Sequence, residues 1–163
     1  MEPAIIFSAI SLLLTGAIAG FFYAFSVCVM KGLDRIAAPS AITAMKSINE
    51  SVLNPVFFLT FFITPIAQLT SAYFAHQGNQ KLSSILYIAA AVIYISGALI
   101  PTLIFNVPMN ENLAKVEMTL HQDELPLIWN QYSKRWTKWN TIRTIFSLLS
   151  LLVVGAAILL RAA

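Results

Sequence analysis

The chain is short, strongly apolar and weakly charged. It has 163 residues, of which 58% are hydrophobic and 10% are charged, with a formal net charge of +3. Soluble domains carry about 25% charged residues, so this composition excludes a soluble globular protein and indicates a single membrane domain over residues 1–163. The lone cysteine, Cys28, excludes an intrachain disulfide and a cysteine-based metal cluster.

Four apolar stretches are each near or above the ~20 residues with which a helix crosses a bilayer. They lie at about 4–30, 52–75, 82–105 and 142–160. The first lacks the basic start and the short apolar core of a secretory signal, and we therefore count it as a span. The predicted fold class is an all-α membrane protein, a four-transmembrane-helix antiparallel bundle.

Polar segments connect the predicted spans. The first connection contains residues 41–49, for which we expect a helix that leads into the second span. The short, turn-like segment 76–81 makes the second and third spans a hairpin. In the longest connection, between spans three and four, residues 111–121 are predicted to form an amphipathic helix. Asp123 and Pro126 mark a break before a further helix, so we expect a helical cytoplasmic loop here.

The positive charges predict the orientation of the chain. Eight of the ten positive residues lie in or beside the first and third connections: Lys31, Arg35, Lys46, Lys115, Lys134, Arg135, Lys138 and Arg143. By the positive-inside rule these connections are cytoplasmic and both termini are outside, in a bacterial-type inner membrane. This explains the charge without a nucleic-acid partner. The expected partner is the lipid bilayer, and the oligomeric state is not indicated.

Two local features are predicted to shape helix packing. Gly16 and Gly20 form a small-xxx-small pair, which lets a neighbouring helix approach closely. Pro101 is predicted to kink the third span. Both features lie within apolar stretches, where packing against other helices decides the shape of the bundle.

Polar residues at helical spacing mark the face of each span that looks into the bundle. Near one membrane level these faces carry the strongest hydrogen-bonding groups of the chain. They are Tyr23 and Ser26 in the first span, Glu50 and Asn54 at the second, Asn106 and Asn110 at the third, and Asn140 and Arg143 at the fourth.

An aromatic stripe leads into the fourth span. Its members alternate at spacings of three and four, within a sector of roughly 60° at about 100° per residue: Trp129, Tyr132, Trp136, Trp139 and Arg143. One interpretation is an interfacial aromatic belt. The other is a pocket wall formed by residues 136–143, with Trp129 and Tyr132 as a lid or entrance.

Glu50 and Arg143 are the only acid and base that the spacing places on inner faces close to the hydrocarbon. Because either charge alone is costly there, they are natural partners. In one interpretation this pair fastens the bundle and the asparagines cap helix ends. In the other, these groups converge with the stripe on a cavity that binds a flat, hydrophobic aromatic molecule.

Metal and cofactor sites find no support in the sequence. His76 and His121 are predicted on opposite sides of the membrane, and no Glu-x-x-His pair, phosphate loop or dinucleotide fingerprint occurs. We therefore expect no metal site and no bound cofactor.

Several short motifs follow one another in a distinctive order. They are GAIAGFFYAFS at 16–26, AMKSIN at 44–49, NP at 54–55, NVPMN at 106–110, and the run 129–144 that ends in WTKWNTIRT. This order resembles the anthrone oxygenase-like family of small four-span membrane proteins, over nearly the whole chain. The resemblance implies an α-helical bundle. For the members that name the family, it implies oxidation of an anthrone methylene to the ketone with molecular oxygen as co-substrate and no cofactor.

On this resemblance the polar residues have predicted roles. Glu50 is the base, and Asn54, Asn106 and Arg143 donate to the oxyanion as the rest of the catalytic set. The predicted substrate-binding set is Tyr23, Ser26, Asn110, Trp129, Tyr132, Trp136, Trp139 and Asn140. The function predicted is a cofactor-independent oxygenase, a monooxygenase or related oxidoreductase. A non-catalytic protein that binds or transports a hydrophobic ligand, and a structural membrane subunit, remain alternatives.

Overall fold

The computed structural model describes residues 3–119 and 123–162, nearly all of them helical. Five helices follow one another: α1 Pro3–Leu33, α2 Ala38–Val52, α3 Pro55–Gln77, α4 Lys81–Ala114 and α5 Glu124–Ala162. All except α2 are long and apolar enough to cross a membrane. The predicted all-α fold with four spans is confirmed, as is the short helix expected over 41–49.

The four long helices form a ring in which α1 packs on α3 and α5, and α4 packs on the same two helices. Hydrogen bonds between helices show that neighbours run in opposite directions. Ser11 pairs with Ser71, and Gln68 donates to Thr15, so residue numbers rise along α1 as they fall along α3. Bonds between α4 and α5 follow the same pattern. The bundle is therefore antiparallel.

The bundle interior carries a column of buried polar side chains, as the helical spacing predicted. Its members include Ser8, Ser11, Thr15, Thr64, Gln68, Ser147 and Ser150. Many of them bond to a carbonyl of their own helix or to one another, which satisfies them in a medium without water.

The longest helix, α5, joins the aromatic stripe to the fourth span without interruption. Its 39 residues extend about 58 Å at 1.5 Å per residue, roughly twice the ~30 Å of bilayer hydrocarbon. Its first half packs with α2 and with the adjoining ends of α1 and α4 around a core that includes Met30, Ile42, Met45, Leu113 and Trp129. We call this end of the molecule the α2 end.

The helix predicted over 111–121 is wrong beyond Ala114, where α4 ends. The N–H groups of Lys115 and Val116 bond to carbonyls only three residues back, which tightens the last turn and stops the helix. Residues 115–119 are irregular or turn, and residues 120–122 lie outside the described part of the chain.

Three π-helical turns interrupt α1 and α4, at Phe25–Val29, Ile95–Leu99 and Thr102–Asn106. In each, an N–H bonds to the carbonyl five residues back, as Val107 does to Thr102. Pro101, predicted to disturb the third span, lies between the two turns of α4. Such turns frequently occur at functional sites, and the first and third of them lie beside the cavity described below.

Gly97 permits the closest approach between α4 and α5. A Cβ at this position would overlap the Cβ and ring of Phe146. The close approach predicted for Gly16 and Gly20 is wrong. A Cβ on Gly16 would meet the Leu151 side chain at 3.8 Å, which is ordinary contact, and one on Gly20 would meet no described atom within 4 Å.

We expect Gly97→Ala to lower the free energy of unfolding by about 1–3 kcal/mol, the usual cost of overpacking. The matched control is Gly20→Ala, which adds the same methyl group to open space and is expected to leave stability unchanged or slightly raised. Thermal unfolding of both variants in detergent, followed by circular dichroism, measures the difference. Equal midpoints for the two variants would contradict the close contact at Gly97.

Candidate functional site

A partly enclosed cavity of about 110 Å³ lies among the helices near the α2 end. Aromatic rings form nearly half of its wall, among them Phe22, Phe25, Phe57, Phe61 and Trp136. Its polar lining consists of Asn49, Thr102, Asn106, Asn110 and Arg143. Apolar walls with a few convergent polar groups are typical of a small-molecule site.

Among the described residues of this lining, Arg143 supplies the only charge, and its side chain is 4% exposed. Its Nη1 donates to Thr102 Oγ1 at 3.1 Å and its Nη2 to Asn140 Oδ1 at 2.8 Å. The guanidinium carbon lies 4.3 Å from the ring centre of Phe22 and 5.1 Å from that of Trp136. These are cation–π distances. None of these contacts is a carboxylate, so the positive charge is held by neutral groups and ring faces.

Glu50 does not lie in this cavity, and its predicted pairing with Arg143 is wrong. It is exposed in a neighbouring pocket of about 200 Å³ with Lys46 and Glu111. The cause is the start of the second span, which begins at Pro55, so that Glu50 belongs to α2. Four residues line both pockets and separate them: Asn49, Leu53, Val107 and Asn110.

Asn54 caps α3 and does not line the cavity. Its Oδ1 accepts from the Phe57 N–H at 3.0 Å, and its Nδ2 donates to the Ser51 carbonyl at 2.8 Å. Both ends of the carboxamide are thus used by the backbone. The capping interpretation is confirmed for this asparagine, and its predicted place beside a substrate oxygen is wrong.

Tyr23 and Trp139 lie outside the cavity, contrary to their predicted stacking role. Tyr23 is 50% exposed, and the preceding residue, Phe22, takes the inward position. Trp139 stacks on Phe105, with ring centres 3.6 Å apart and planes 8° from parallel. Each residue turns a helix by about 100°. Spacing therefore identifies the face of a helix on which residues lie, but it does not decide which residues at the edge of that face point into the cavity.

Trp129 and Tyr132 are packed in the core of the α2 end, and the predicted lid or entrance is wrong for both. Trp129 Nε1 and Ser133 Oγ donate to the same oxygen of Asp34, at 3.0 Å and 2.7 Å. Asp34 therefore ties the end of α1 to α5. Sequence reasoning missed Asp34, because a single acid after an apolar span forms no helical pattern with other polar residues. Its position just beyond the last apolar turn was the one feature that could have indicated its role.

We expect Asp34→Ala to destabilise the α2 end by about 1.5–3 kcal/mol, the range for hydrogen bonds to a charged group. Asp34→Asn keeps an acceptor oxygen and is expected to lose less. Thermal unfolding together with the tryptophan emission wavelength checks both effects, because Trp129 gains access to water when this contact opens. Equal losses in the two variants would contradict the role of the shared oxygen.

Asn110 fixes the wall of the cavity. Its Oδ1 accepts from Tyr132 Oη at 2.9 Å and from Trp136 Nε1 at 2.8 Å. One carboxamide of α4 thereby holds two rings of the α5 stripe. The stripe is thus partly a pocket wall, at Trp136, and partly core, at Tyr132 and Trp129.

Asn140 and Ser26 lie behind the guanidinium and do not line the cavity. Asn140 Nδ2 donates to the Phe22 carbonyl and to Ser26 Oγ, both at 2.8 Å, while its Oδ1 accepts from Arg143. Ser26 Oγ lies 3.1 Å from Thr144 Oγ1. Both residues therefore orient Arg143 and are not placed to touch a ligand in the cavity.

Three buried polar atoms at the cavity have no hydrogen-bond partner among the described residues. They are Arg143 Nε, Asn106 Oδ1 and Asn49 Nδ2. The Asn106 amide makes one long bond, 3.4 Å, to the Trp136 carbonyl. Because an unpaired buried donor or acceptor costs free energy, this arrangement suits a ligand that offers both an acceptor and a donor. Asn49 received no role from sequence reasoning, although it ends one of the motifs.

A family model described as anthrone oxygenase matches residues 56–153, more than half of the chain. The chain belongs to the anthrone oxygenase family. Within the matched range of this family lie α3, α4 and most of α5, which supply Thr102, Asn106, Asn110, Trp136 and Arg143. Helices α1 and α2 precede that range and supply the remaining walls. No curated protein and no solved structure matches the chain.

Proposed function

We propose that this chain is a membrane-embedded oxygenase that oxidises a flat aromatic molecule with molecular oxygen, using neither a metal nor an organic cofactor. The observation that carries the proposal is Arg143, a buried cation whose contacts are ring faces and neutral hydrogen-bonding groups. A buried charge without a counter-ion favours a bound anion. Aromatic walls favour a planar partner, and family membership supports oxygenase chemistry.

The reaction suits an anthrone-type ring system, in which a methylene group lies opposite a ketone. Loss of one methylene proton places negative charge on the ketone oxygen, where the Arg143 guanidinium stabilises it. The electron-rich anion reduces oxygen and forms a carbon–oxygen bond. The resulting peroxide anion takes up one proton to give a hydroperoxide, which loses the remaining hydrogen of that carbon and its terminal hydroxyl group as water to leave the second ketone. One anthrone and one oxygen molecule thus give one anthraquinone and one water.

The departing proton requires an acceptor outside the cavity. Among the described residues that line the cavity there is no carboxylate and no imidazole. A nearby positive charge makes a bound acid more acidic, so a weaker base can remove the substrate proton when Arg143 lies beside the substrate. In this proposal Glu50 accepts the proton through water in the neighbouring pocket, on the far side of Asn49 and Asn110.

Oxygen uptake by the purified protein in lipid nanodiscs, with anthrone as substrate, tests the proposal. We expect a rate above spontaneous oxidation, formation of anthraquinone, and no loss of rate after chelator treatment. Arg135→Gln, an exposed arginine on the same helix, is the matched control for variants of Arg143. A rate no higher than the spontaneous one would contradict the proposal. If an anthraquinone still quenches tryptophan fluorescence, that result supports a binding or transport protein.

A further inference from the structure

The cavity adjoins a larger groove on the surface of the bundle. This groove, of about 580 Å³, lies between α1, α2 and α3. Phe21, Phe25, Val52 and Phe57 line both the groove and the cavity. The centre of the Phe21 ring lies 5.0 Å from that of Phe25 and 5.1 Å from that of Phe57. A single layer of side chains therefore separates the two spaces.

The cavity is too small to hold a fused aromatic ligand completely. Small-molecule sites commonly have volumes of about 300–1,000 Å³, whereas the space beside Arg143 has about 110 Å³. The side chains of the phenylalanine layer therefore move to admit the ring system, and a substituent on that ring system reaches the groove on the other side of the layer. A ligand whose oxygen contacts Arg143 thus extends toward α1 and α3, displacing the ring of Phe21, which is only partly buried.

The two spaces differ sharply in their polar atoms. The cavity contains the unpartnered atoms of Arg143, Asn106 and Asn49. In the groove, Ser51, Asn54 and Thr60 already bond to backbone groups nearby in sequence. The groove therefore offers apolar contact, and the hydrogen-bonding capacity is concentrated in the cavity.

We infer that the groove binds a hydrocarbon substituent of the substrate, and that the substrate is a lipid-soluble amphiphile which reaches the cavity sideways from the bilayer. The inference rests on the proposed function and names the class of its substrate. The groove lies along parts of α1 and α3 that belong to membrane-crossing helices. A hydrocarbon chain held there stays in apolar surroundings while the oxygen-bearing ring moves to Arg143, so no apolar surface is exposed to water.

The inference can be tested without measuring turnover, by the equilibrium binding of two probes that do not react with oxygen. The probes are 1-hydroxyanthraquinone and the same ring system with a decyl chain on the unsubstituted ring, with quenching of tryptophan fluorescence as the readout. The groove is filled by Ala17→Phe with Thr60→Phe, both at groove-lining positions. The matched control is Ala24→Phe with Thr70→Phe, on the same helices but outside the groove lining.

We expect the filled groove to weaken binding of the decyl probe about tenfold, which corresponds to about 1.4 kcal/mol and lies within the usual cost of overpacking. Binding of the plain ring should change less than about twofold by the same argument, because the added rings do not enter the cavity. Partition of each probe into the membrane is the same for every variant and cancels. A decyl chain with a terminal diazirine should in addition label α1 and α3, located by peptide mass spectrometry.

Three outcomes would overturn the inference. Unchanged binding of both probes in the filled-groove variant means that membrane lipid alone occupies the groove. Equal weakening of both probes means that the ring itself lies in the groove. Labelling confined to α4 and α5 excludes the decyl chain from the groove. If wild-type protein binds neither probe, the proposed function fails first, and that result is distinct because it does not depend on the groove variants.

Discussion

Arg143→Met is expected to abolish oxygenase turnover while the bundle remains as stable as the wild type or becomes more stable. Removing a donor to a developing oxyanion commonly lowers kcat by about 10²–10³, and the guanidinium is the only charge that the described part of the chain places in the cavity lining. Methionine is shorter, has a similar volume and carries no charge. Replacing a buried ion pair by apolar residues of similar volume is often neutral, or stabilising by about 1–4 kcal/mol. Among the described residues, the hydrogen-bond and ring partners of Arg143 include no carboxylate that would offset the cost of burying its charge.

The loss of Arg143 also removes favourable contacts, which limits the gain in stability. Asn140 Oδ1 loses its donor, and Phe22 and Trp136 lose the cation above their rings. Thr102 Oγ1 keeps its bond to the Ala98 carbonyl. Thermal unfolding in detergent measures the stability of the variant, and oxygen uptake with anthrone measures its turnover. Both are compared with Arg135→Gln. A Met variant that unfolds far below the wild type would favour the structural-subunit alternative.

Asn110→Leu is expected to destabilise the α2 end more than any other single change at the cavity. It leaves Tyr132 Oη and Trp136 Nε1 without their acceptor. Each unpaired buried donor costs about 1–3 kcal/mol, so the combined loss is about 2–6 kcal/mol. Unfolding in detergent, with tryptophan emission as a second probe, measures it.

Asn110→Asp is the matched comparison, because a carboxylate retains acceptor oxygens for both rings. We expect this variant to fold nearly as stably as the wild type but to lose turnover. Its negative charge lies on the lining shared with Arg143 and competes with an anionic substrate for the guanidinium. Equal destabilisation by Leu and Asp would show that the Asn110 oxygen does not hold the two rings.

The spans and their inward faces could be predicted because both depend on one helix at a time. A residue such as Gln68 is costly in lipid wherever its helix is placed, so its spacing with Thr64 shows the buried face directly. Glu50 was misplaced by an error of three residues in the start of a helix. The pair Asn54 and Pro55, an N-cap followed by a proline suited to the first turn, carried the information that would have corrected it.

The cavity itself could be predicted only in part, because it depends on how helices are rotated against one another. The spacing placed Trp136 and Trp139 in one sector, yet only Trp136 borders the cavity. That choice depends on the rotation of α5 against α4, to which the contact between Gly97 and Phe146 contributes. This contact cannot be predicted from the sequence of α5 alone. Asp34 was missed for a similar reason, since its two donors lie about a hundred residues away in sequence.

Because α5 is an unbroken helix, the residues that it carries at the cavity keep their positions relative to one another. Trp136, Asn140 and Arg143 stand on consecutive turns of one regular helix, so any displacement carries the cation, its orienting amide and its ring together. Part of the opposite half of the cavity comes from π turns, which contain Phe25 in α1 and Asn106 in α4. We therefore expect a change in the shape of a bound molecule to be accommodated at these turns, while the position of the Arg143 charge stays constant.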